Sequence, residues 1–365
     1  MCPDRSATVS AGSKKCRPSC AAALAVLGAA LAGCRATARV TPPPAETLDS
    51  SSFGGAGVPA ARASLDAGAP LKASAPSHDA PQLTVLQAED ILFLQDDLPR
   101  SCEFGEDAAR IRCLISARFA PDPRARAVAL DLYDRTGDVA GLSPTETMEG
   151  GWRGTLHLVP ALPIGNGRTH LEWVAEATRD YDAFFVELTR GEQETPRYVW
   201  RGLSFRFMRS VAARTPSAYA GGWAVAYNLD GSLNTSADAV RELLFHENFH
   251  LNDEDHGDWS VRTLGATFDS IVARCGTKIA CLTPFAPTEV TVRGGTYYAF
   301  QPNNGAVVRE YAAELALRYY REQRAALRGL PPGKRFKCGP KENASSWKLL
   351  VDEFFAGIDR TPACG

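Results

Sequence analysis

The sequence lacks an excess of positive charge, a long apolar run and closely paired cysteines. Forty lysine and arginine residues stand against 42 aspartate and glutamate residues, whereas binding to a phosphate backbone needs a basic surface. We therefore expect no nucleic-acid partner. The apolar run at 21–32 is shorter than the roughly 20 residues that a transmembrane helix needs. None of the ten cysteines belongs to a C-x-x-C pair, which disfavours a zinc site built from cysteines.

The N-terminal segment has the pattern of an export signal. Basic residues at 14–17 precede the apolar run, which ends in Leu31-Ala-Gly-Cys34. This ending resembles the bacterial lipobox. The resemblance implies that residues 1–33 are a lipoprotein signal peptide and that Cys34 carries the lipid, which places the protein in the bacterial cell envelope, on the outer membrane or the periplasmic side of a membrane. The alternative is a plain secretory signal with an incidental cysteine.

Residues 34–81 are predicted to be a disordered tether. This stretch is rich in alanine, proline, serine, threonine and glycine and has few large apolar residues, so it cannot bury enough surface to fold. It should let a folded domain, residues 82–365, stand away from the membrane that holds the lipid.

Six cysteines remain in the folded part, an even number that fits disulfide pairing outside the cytoplasm. The sequence alone allows fifteen connectivities. Pairing of near neighbours is the simplest set, and it joins Cys102 to Cys113, Cys275 to Cys281, and Cys338 to Cys364.

Residues 246–250 read His-Glu-Asn-Phe-His, the H-E-x-x-H signature of zinc hydrolases. Positions four apart lie one above the other on a helix, so His246 and His250 can point at one metal ion. Glu247 then faces the open side of the metal, where it could act as general base toward a zinc-bound water. The alternative is a helix with two ordinary polar histidines.

The flanks of the motif favour a buried helix from Ser236 to Leu251, capped by Thr235 or Ser236. Burying two histidines and a glutamate among apolar residues is costly unless an ion compensates. The segment at 222–227 has the β-branched and aromatic composition of a strand. A peptide could add to a strand beside this helix.

Two residues compete as the third ligand. His256 completes the longer metzincin spacing, but Asp253 stands where that motif has glycine, and all three methionines precede the motif, whereas metzincins have a methionine turn after it. Glu310 is the other candidate. It shares a helical face with Glu314 in the periodic segment at 307–320, and two like charges among apolar residues indicate a cation or a cationic partner nearby. The alternative for both glutamates is a solvated helix face.

The H-E-x-x-H motif followed by Glu310-Tyr-Ala-Ala-Glu314 resembles the gluzincin metallopeptidases, and most closely the relatives of anthrax lethal factor. The resemblance implies that Glu310 is the third zinc ligand and that Glu314 orients a ligand histidine. It also implies a tyrosine that holds the oxyanion, for which Tyr297 and Tyr298 are the candidates. The alternative for these tyrosines is packing in a strand.

Together these patterns predict an α+β, zincin-like domain. A lobe with a mixed sheet would carry the active-site helix, and a mainly helical C-terminal lobe would supply Glu310. Helices are expected at 170–188, 259–273 and 307–326. Residues 198–212 are expected to form a strand that gives way to another helix, and residues 275–296 an extended segment.

The expected activity is hydrolysis of a peptide or protein substrate by a zinc metallopeptidase that uses Zn²⁺ as its cofactor. Two alternatives stay open. One is an envelope binding lipoprotein with a zincin fold and no turnover. The other is a zinc hydrolase that acts on another amide or an ester.

Overall fold

The computed structural model describes residues 82–365 apart from 95, 97, 151–153, 293–294, 303–304 and 332. The predicted signal peptide, the predicted lipidation site Cys34 and the predicted tether therefore lie outside the described residues. Within the ranges that are described, no helix is both long enough and apolar enough to cross a membrane.

Three helices precede the sheet, and none of them was predicted from the sequence. The first begins at a capping box, in which Thr84 and Gln87 each accept a hydrogen bond from the other residue's backbone. The third begins at Asp122, whose side chain accepts from the amides of Arg124 and Ala125, directly before a proline. The helices are α1 (Val85–Phe93), α2 (Asp107–Arg118) and α3 (Pro123–Thr136).

A mixed six-stranded sheet follows. Its strands are β1 (Val139–Leu142), β2 (Glu146–Glu149), β3 (Thr155–Pro160), β4 (Ser204–Ser210), β5 (Ala218–Gly221) and β6 (Ala224–Asn228). The order is β2-β3-β4-β6-β5, and β1 also pairs with β4. Strand β4 runs parallel to β1 and β6 and antiparallel to β3. The predicted strand at 222–227 is thus β6, which lies inside the sheet, and its neighbour β5 forms the edge on that side.

The two faces of the sheet are unequal. Phe205 and Phe207 alternate along β4 and are fully buried in the main core, as the two-residue period of a strand requires. The other face carries a small cluster of Leu158, Met208 and Ala226. Because the larger apolar face needs cover, the long helices pack on that side.

The chain beyond β6 is mainly helical. Its first helix, α5 (Ala237–Asp255), packs against β5, against α8 and against α4 (Arg168–Leu188), the helix that joins β3 to β4. The remaining elements are α6 (Trp259–Cys275), α7 (Ile279–Leu282), the hairpin β7 (Thr291–Val292) and β8 (Thr296–Tyr297), α8 (Val307–Leu327) and α9 (Lys341–Phe354).

Aromatic side chains join the three long helices α4, α5 and α8. The ring of Phe245 on α5 stacks on Tyr320 of α8, with centroids 4.4 Å apart, and meets Tyr181 of α4 edge-on at 5.7 Å. The hydroxyl of Tyr198 donates to the carbonyl of Phe245 at 2.9 Å. These contacts fix the rotation of α5 about its axis, and with it the direction of the residues that follow Phe245.

The structure is a mixture of α and β elements, in agreement with the predicted class. The helices expected at 170–188, 259–273 and 307–326 are confirmed to within two residues at each end. Two details were wrong. The strand β4 ends in a turn that leads to β5 and not directly to a helix, and the segment at 275–296 contains the short helix α7.

The cysteines of the folded part form the neighbour pairs. The pairs Cys102–Cys113, Cys275–Cys281 and Cys338–Cys364 are joined, with Cα atoms 5.4, 5.3 and 5.4 Å apart, which is the usual separation for a disulfide.

Candidate metal centre

Helix α5 carries the motif into the core. It begins at Ser236, whose hydroxyl accepts from the amide of Ala239 at 3.2 Å. From Leu243 to Phe249 every residue of the helix is buried, including His246 and Glu247 at 2% exposure each. Buried polar groups destabilise a fold unless they find partners, so the partners of these two side chains determine what the site can do.

Three ligand atoms converge at the end of the motif. The Nε2 atoms of His246 and His250 lie 3.1 Å apart, and Oε2 of Glu310 lies 3.3 Å from the first and 3.6 Å from the second. Metal–ligand bonds of about 2.05 Å in a tetrahedron place ligand atoms about 3.3 Å apart. This group can therefore hold a metal ion, and its two imidazoles and one carboxylate are a donor set that zinc accepts.

Glu310 comes from the first turn of α8, which packs directly against α5. Its side chain is almost fully buried. Burial raises the pKa of this carboxyl group, but the two histidines outweigh that effect and hold the pKa of Glu310 well below its ordinary value. The carboxylate is thus kept in the ionised form that a metal ligand needs.

Glu314 lies one turn further along α8 and stands behind His246. One carboxylate oxygen, Oε1, is 3.0 Å from Nδ1 of His246, the ring nitrogen opposite the ligand atom. The other oxygen, Oε2, accepts a hydrogen bond from the hydroxyl of Thr288. A carboxylate in this place fixes the tautomer and the orientation of a ligand imidazole.

Glu247 lies beside the ligand group on α5. Burial raises the pKa of its carboxyl group above the ordinary value, the charge on Glu310 adds to this, and the two histidines oppose it. Within the described part of the chain, its Oε2 atom is buried and has no hydrogen-bond partner. A carboxyl group with a raised pKa next to a metal position is suited to taking up a proton.

The structure separates the two candidate tyrosines. The hydroxyl of Tyr298 donates to Oε2 of Glu310 at 2.7 Å, so this residue contacts the metal-binding group. The hydroxyl of Tyr297 lies 3.1 Å from that of Thr283. Among the described residues, its hydrogen bond is therefore directed away from the two histidines. Tyr298 is therefore the tyrosine at the site, and Tyr297 belongs to the surrounding packing.

His256, the other candidate ligand, is directed elsewhere. Its Nδ1 atom is 2.7 Å from Oε1 of Glu353 on α9, and its ring packs on Phe354. The convergent ligand group does not include it. Asp253, which occupies the glycine position of the metzincin spacing, is buried and accepts hydrogen bonds from the amide and hydroxyl of Ser260 at 2.6 Å each. It therefore holds the start of α6 and does not form a turn.

The sequence reading missed Thr288. No motif surrounds it, and it reaches the site only because the segment after α7 folds back against α8. The signals that pointed to the site were the H-E-x-x-H motif and the pair Glu310 and Glu314 on one helical face, and neither signal includes Thr288.

Comparison with models of known protein families, with curated proteins and with solved structures found no match for this chain. Any activity must therefore be argued from the residues of the chain itself.

Proposed function

We propose that this chain is a zinc-dependent metallopeptidase with a zincin-like fold. The observation that carries the proposal is the convergence of three ligand atoms from His246, His250 and Glu310 at separations of 3.1–3.6 Å. Glu247, which follows the first ligand in sequence, supplies the buried carboxyl group that peptide hydrolysis requires. The H-E-x-x-H motif and the later Glu310 and Glu314 pair support a gluzincin-like arrangement.

Each residue at the site has a defined task in this reaction. A zinc ion held by the three ligands would lower the pKa of a bound water and polarise the scissile carbonyl. Glu247 accepts the proton of the attacking water and passes it to the leaving amine. Tyr298, hydrogen-bonded to Glu310 at 2.7 Å, has a hydroxyl close enough to the ligand group to donate to the developing oxyanion.

The edge of the sheet offers a place for an extended substrate. Strand β5 is the last strand in the sheet order and packs against α5. Just beyond β5, the amide of Gly222 donates to Oε2 of Glu254 at 3.3 Å, one helical turn past His250. A peptide added to the outer edge of β5 would therefore run alongside the metal-binding helix. Main-chain pairing of this kind tolerates many sequences, which favours a peptide or protein substrate.

The predicted lipid on Cys34 implies where the protein is located. A lipid-anchored chain with the 34–81 tether would hold the catalytic domain outside the cytoplasm, and the three disulfides are compatible with that compartment. Replacing Cys34 by serine in the full chain should move the protein from the membrane fraction to the soluble fraction. Unchanged membrane association would contradict the anchor.

The first experiment is elemental analysis of the purified domain, residues 82–365, beside the variants Glu310→Gln and His256→Ala. We expect close to one zinc per chain in the wild type and in His256→Ala. Glu310→Gln should lose most of the metal, because an amide is a weaker ligand than a carboxylate. Zinc retained in Glu310→Gln but lost in His256→Ala would overturn the assigned ligand set.

The second experiment separates catalysis from binding. Glu247→Gln should keep its zinc and lose the hydrolysis of a peptide library, since the amide cannot accept the proton. A wild type that binds zinc but cleaves no peptide would contradict the peptidase activity. Turnover of amide or ester substrates in that case would favour another zinc hydrolase, and absence of any turnover would favour a binding protein.

A further inference from the structure

Thr288 lies behind the metal centre, in the segment that joins α7 to β7. Its side chain is 3% exposed, and its hydroxyl donates to Oε2 of Glu314. The other oxygen of Glu314 is 3.0 Å from Nδ1 of His246. A continuous chain of contacts thus runs from Thr288 through Glu314 to the imidazole whose Nε2 faces the ligand group.

Each carboxylate oxygen of Glu314 has its own partner, so the carboxylate plane cannot rotate without breaking one of two contacts. A threonine hydroxyl can donate only one hydrogen bond, and here that bond goes to the carboxylate. A carboxylate fixed 3.0 Å from Nδ1 of His246 favours the tautomer with its proton on Nδ1, which leaves the lone pair of Nε2 for a metal ion. Without the hydroxyl, Oε2 would be left buried and unpaired, and the carboxylate could turn away from the ring.

Thr288 itself is held against the helix that carries Glu314. The carbonyl of Pro287 accepts a hydrogen bond of 3.4 Å from Arg318, which lies one turn after Glu314 on α8. Arg318 also donates to Oε1 of Glu322 at 2.6 Å and to the carbonyl of Lys334. The backbone next to Thr288 is therefore tied to the same face of α8, which keeps the hydroxyl within reach of Glu314.

We propose that Thr288 is a positioning residue of the metal centre, acting on His246 through Glu314. The inference rests on the proposed zinc site but does not need the peptidase activity. Loss of the Thr288 hydroxyl should weaken zinc binding about tenfold, the lower end of the range typical for residues that orient a metal ligand.

The test measures zinc affinity by competition with a chelator, for the domain at 82–365 and the variants Thr288→Val and Thr288→Ser. Valine matches threonine in shape but lacks the hydroxyl, and serine keeps it. We expect about tenfold weaker binding for Thr288→Val and a value within about threefold of the wild type for Thr288→Ser. The control is Thr178→Val, another fully buried threonine, whose hydroxyl bonds within α4 and to Arg135; its zinc affinity should stay unchanged.

A double-mutant cycle tests the route through Glu314. In a Glu314→Ala background, Thr288→Val should weaken zinc binding by less than twofold further, because the acceptor of the Thr288 hydroxyl is already gone. The absorption bands of the cobalt-substituted domain should shift in Thr288→Val, match the wild type in Thr288→Ser and stay unchanged in the Thr178→Val control, which separates an effect on the ligand geometry from a general loss of packing. If Thr288→Val does not fold, Thr288→Ala and Thr288→Ser replace it in the same comparison.

Equal zinc affinity for wild type and Thr288→Val would overturn the inference, as would an equal loss in Thr288→Ser or in the Thr178→Val control. Zinc binding without peptide hydrolysis would contradict the proposed function and leave the role of Thr288 intact. A wild type that binds no zinc would overturn both.

Discussion

The hydroxyl of Tyr298 donates a hydrogen bond of 2.7 Å to Oε2 of Glu310, the same oxygen that faces both histidines. The tyrosine therefore fixes the carboxylate of Glu310 and stands next to the position that a metal ion would take. Its neighbour Tyr297 points to Thr283 instead. Two adjacent tyrosines with opposite environments provide a matched pair of variants.

Tyr298→Phe should lower kcat by about 10- to 100-fold with KM changed less than about threefold, because a lost oxyanion donor acts on the transition state more than on substrate binding. Zinc should remain bound, since all three ligands are intact. Tyr297→Phe should leave kcat within about twofold of the wild type. Steady-state kinetics on one peptide substrate measures both. Equal effects of the two substitutions would mean that Tyr298 does not act as the oxyanion donor.

His256→Ala should keep zinc at the wild-type level, because His256 pairs with Glu353 and lies outside the ligand group. Loss of the partly exposed pair should reduce the free energy of unfolding by no more than about 1 kcal/mol, and loss of the ring packing on Phe354 should add about another 1 kcal/mol. Urea unfolding of the metal-free domain measures this. A reduction well beyond this sum would mean that His256 has a structural role larger than these two contacts.

Asp138 should make the stability of the domain depend on pH. It is fully buried between α3 and β1, with Oδ1 accepting from the amide of Leu203 at 2.8 Å. Burial raises the pKa of this carboxyl group to about 7 from an ordinary 3.8, against the opposing effect of its hydrogen bonds. Between about pH 4 and pH 7 the folded state therefore holds one proton more than the unfolded state, so this group's contribution to stability is lost as pH rises.

Asp138→Asn should remove that dependence, because asparagine keeps an acceptor for Leu203 and has no charge to bury. The variant should gain stability over the wild type as pH rises from 4 to 7, by an amount that reaches at most about 4 kcal/mol. Urea unfolding of both metal-free proteins at pH 4, 5.5 and 7 gives the difference. A constant difference across these values would contradict a buried carboxyl group with a raised pKa.

The residues of the candidate metal centre could be predicted because helix periodicity brings His246 next to His250 and Glu310 next to Glu314. That the two helices meet, however, depends on long-range packing, such as the stacking of Phe245 on Tyr320. The approach of Thr288 to Glu314 joins residues 26 positions apart. Such contacts leave no periodic trace in the sequence, because only the tertiary fold creates them.

The position of a strand within the sheet could not be predicted from the sequence either. The composition of 222–227 indicated a strand, and a strand is found there, but composition does not reveal the neighbours of a strand. Pairing with β4 on one side and β5 on the other places β6 inside the sheet. The helices α1 to α3 were missed although Thr84 with Gln87 and Asp122 with Pro123 are recognisable start signals.

Asp253 is the residue that most clearly separates this chain from the metzincin spacing. Its two carboxylate oxygens receive the amide and the hydroxyl of Ser260 at 2.6 Å each, whereas Asp258, the residue just before α6, makes no capping bond with its side chain. The start of α6 is thus held from the last turn of α5. This joins the end of the metal-binding helix to the next element.

Asp253→Gly, which restores the metzincin glycine, should therefore destabilise the domain. The lost cap costs about 1 kcal/mol and glycine inside a helix about another 1 kcal/mol, so we expect about 2 kcal/mol less free energy of unfolding in urea. Asp253→Asn keeps one acceptor for the amide of Ser260 and should lose less than about 1 kcal/mol. An Asp253→Gly variant as stable as the wild type would mean that the position tolerates a turn, and the case for His256 as a ligand would reopen.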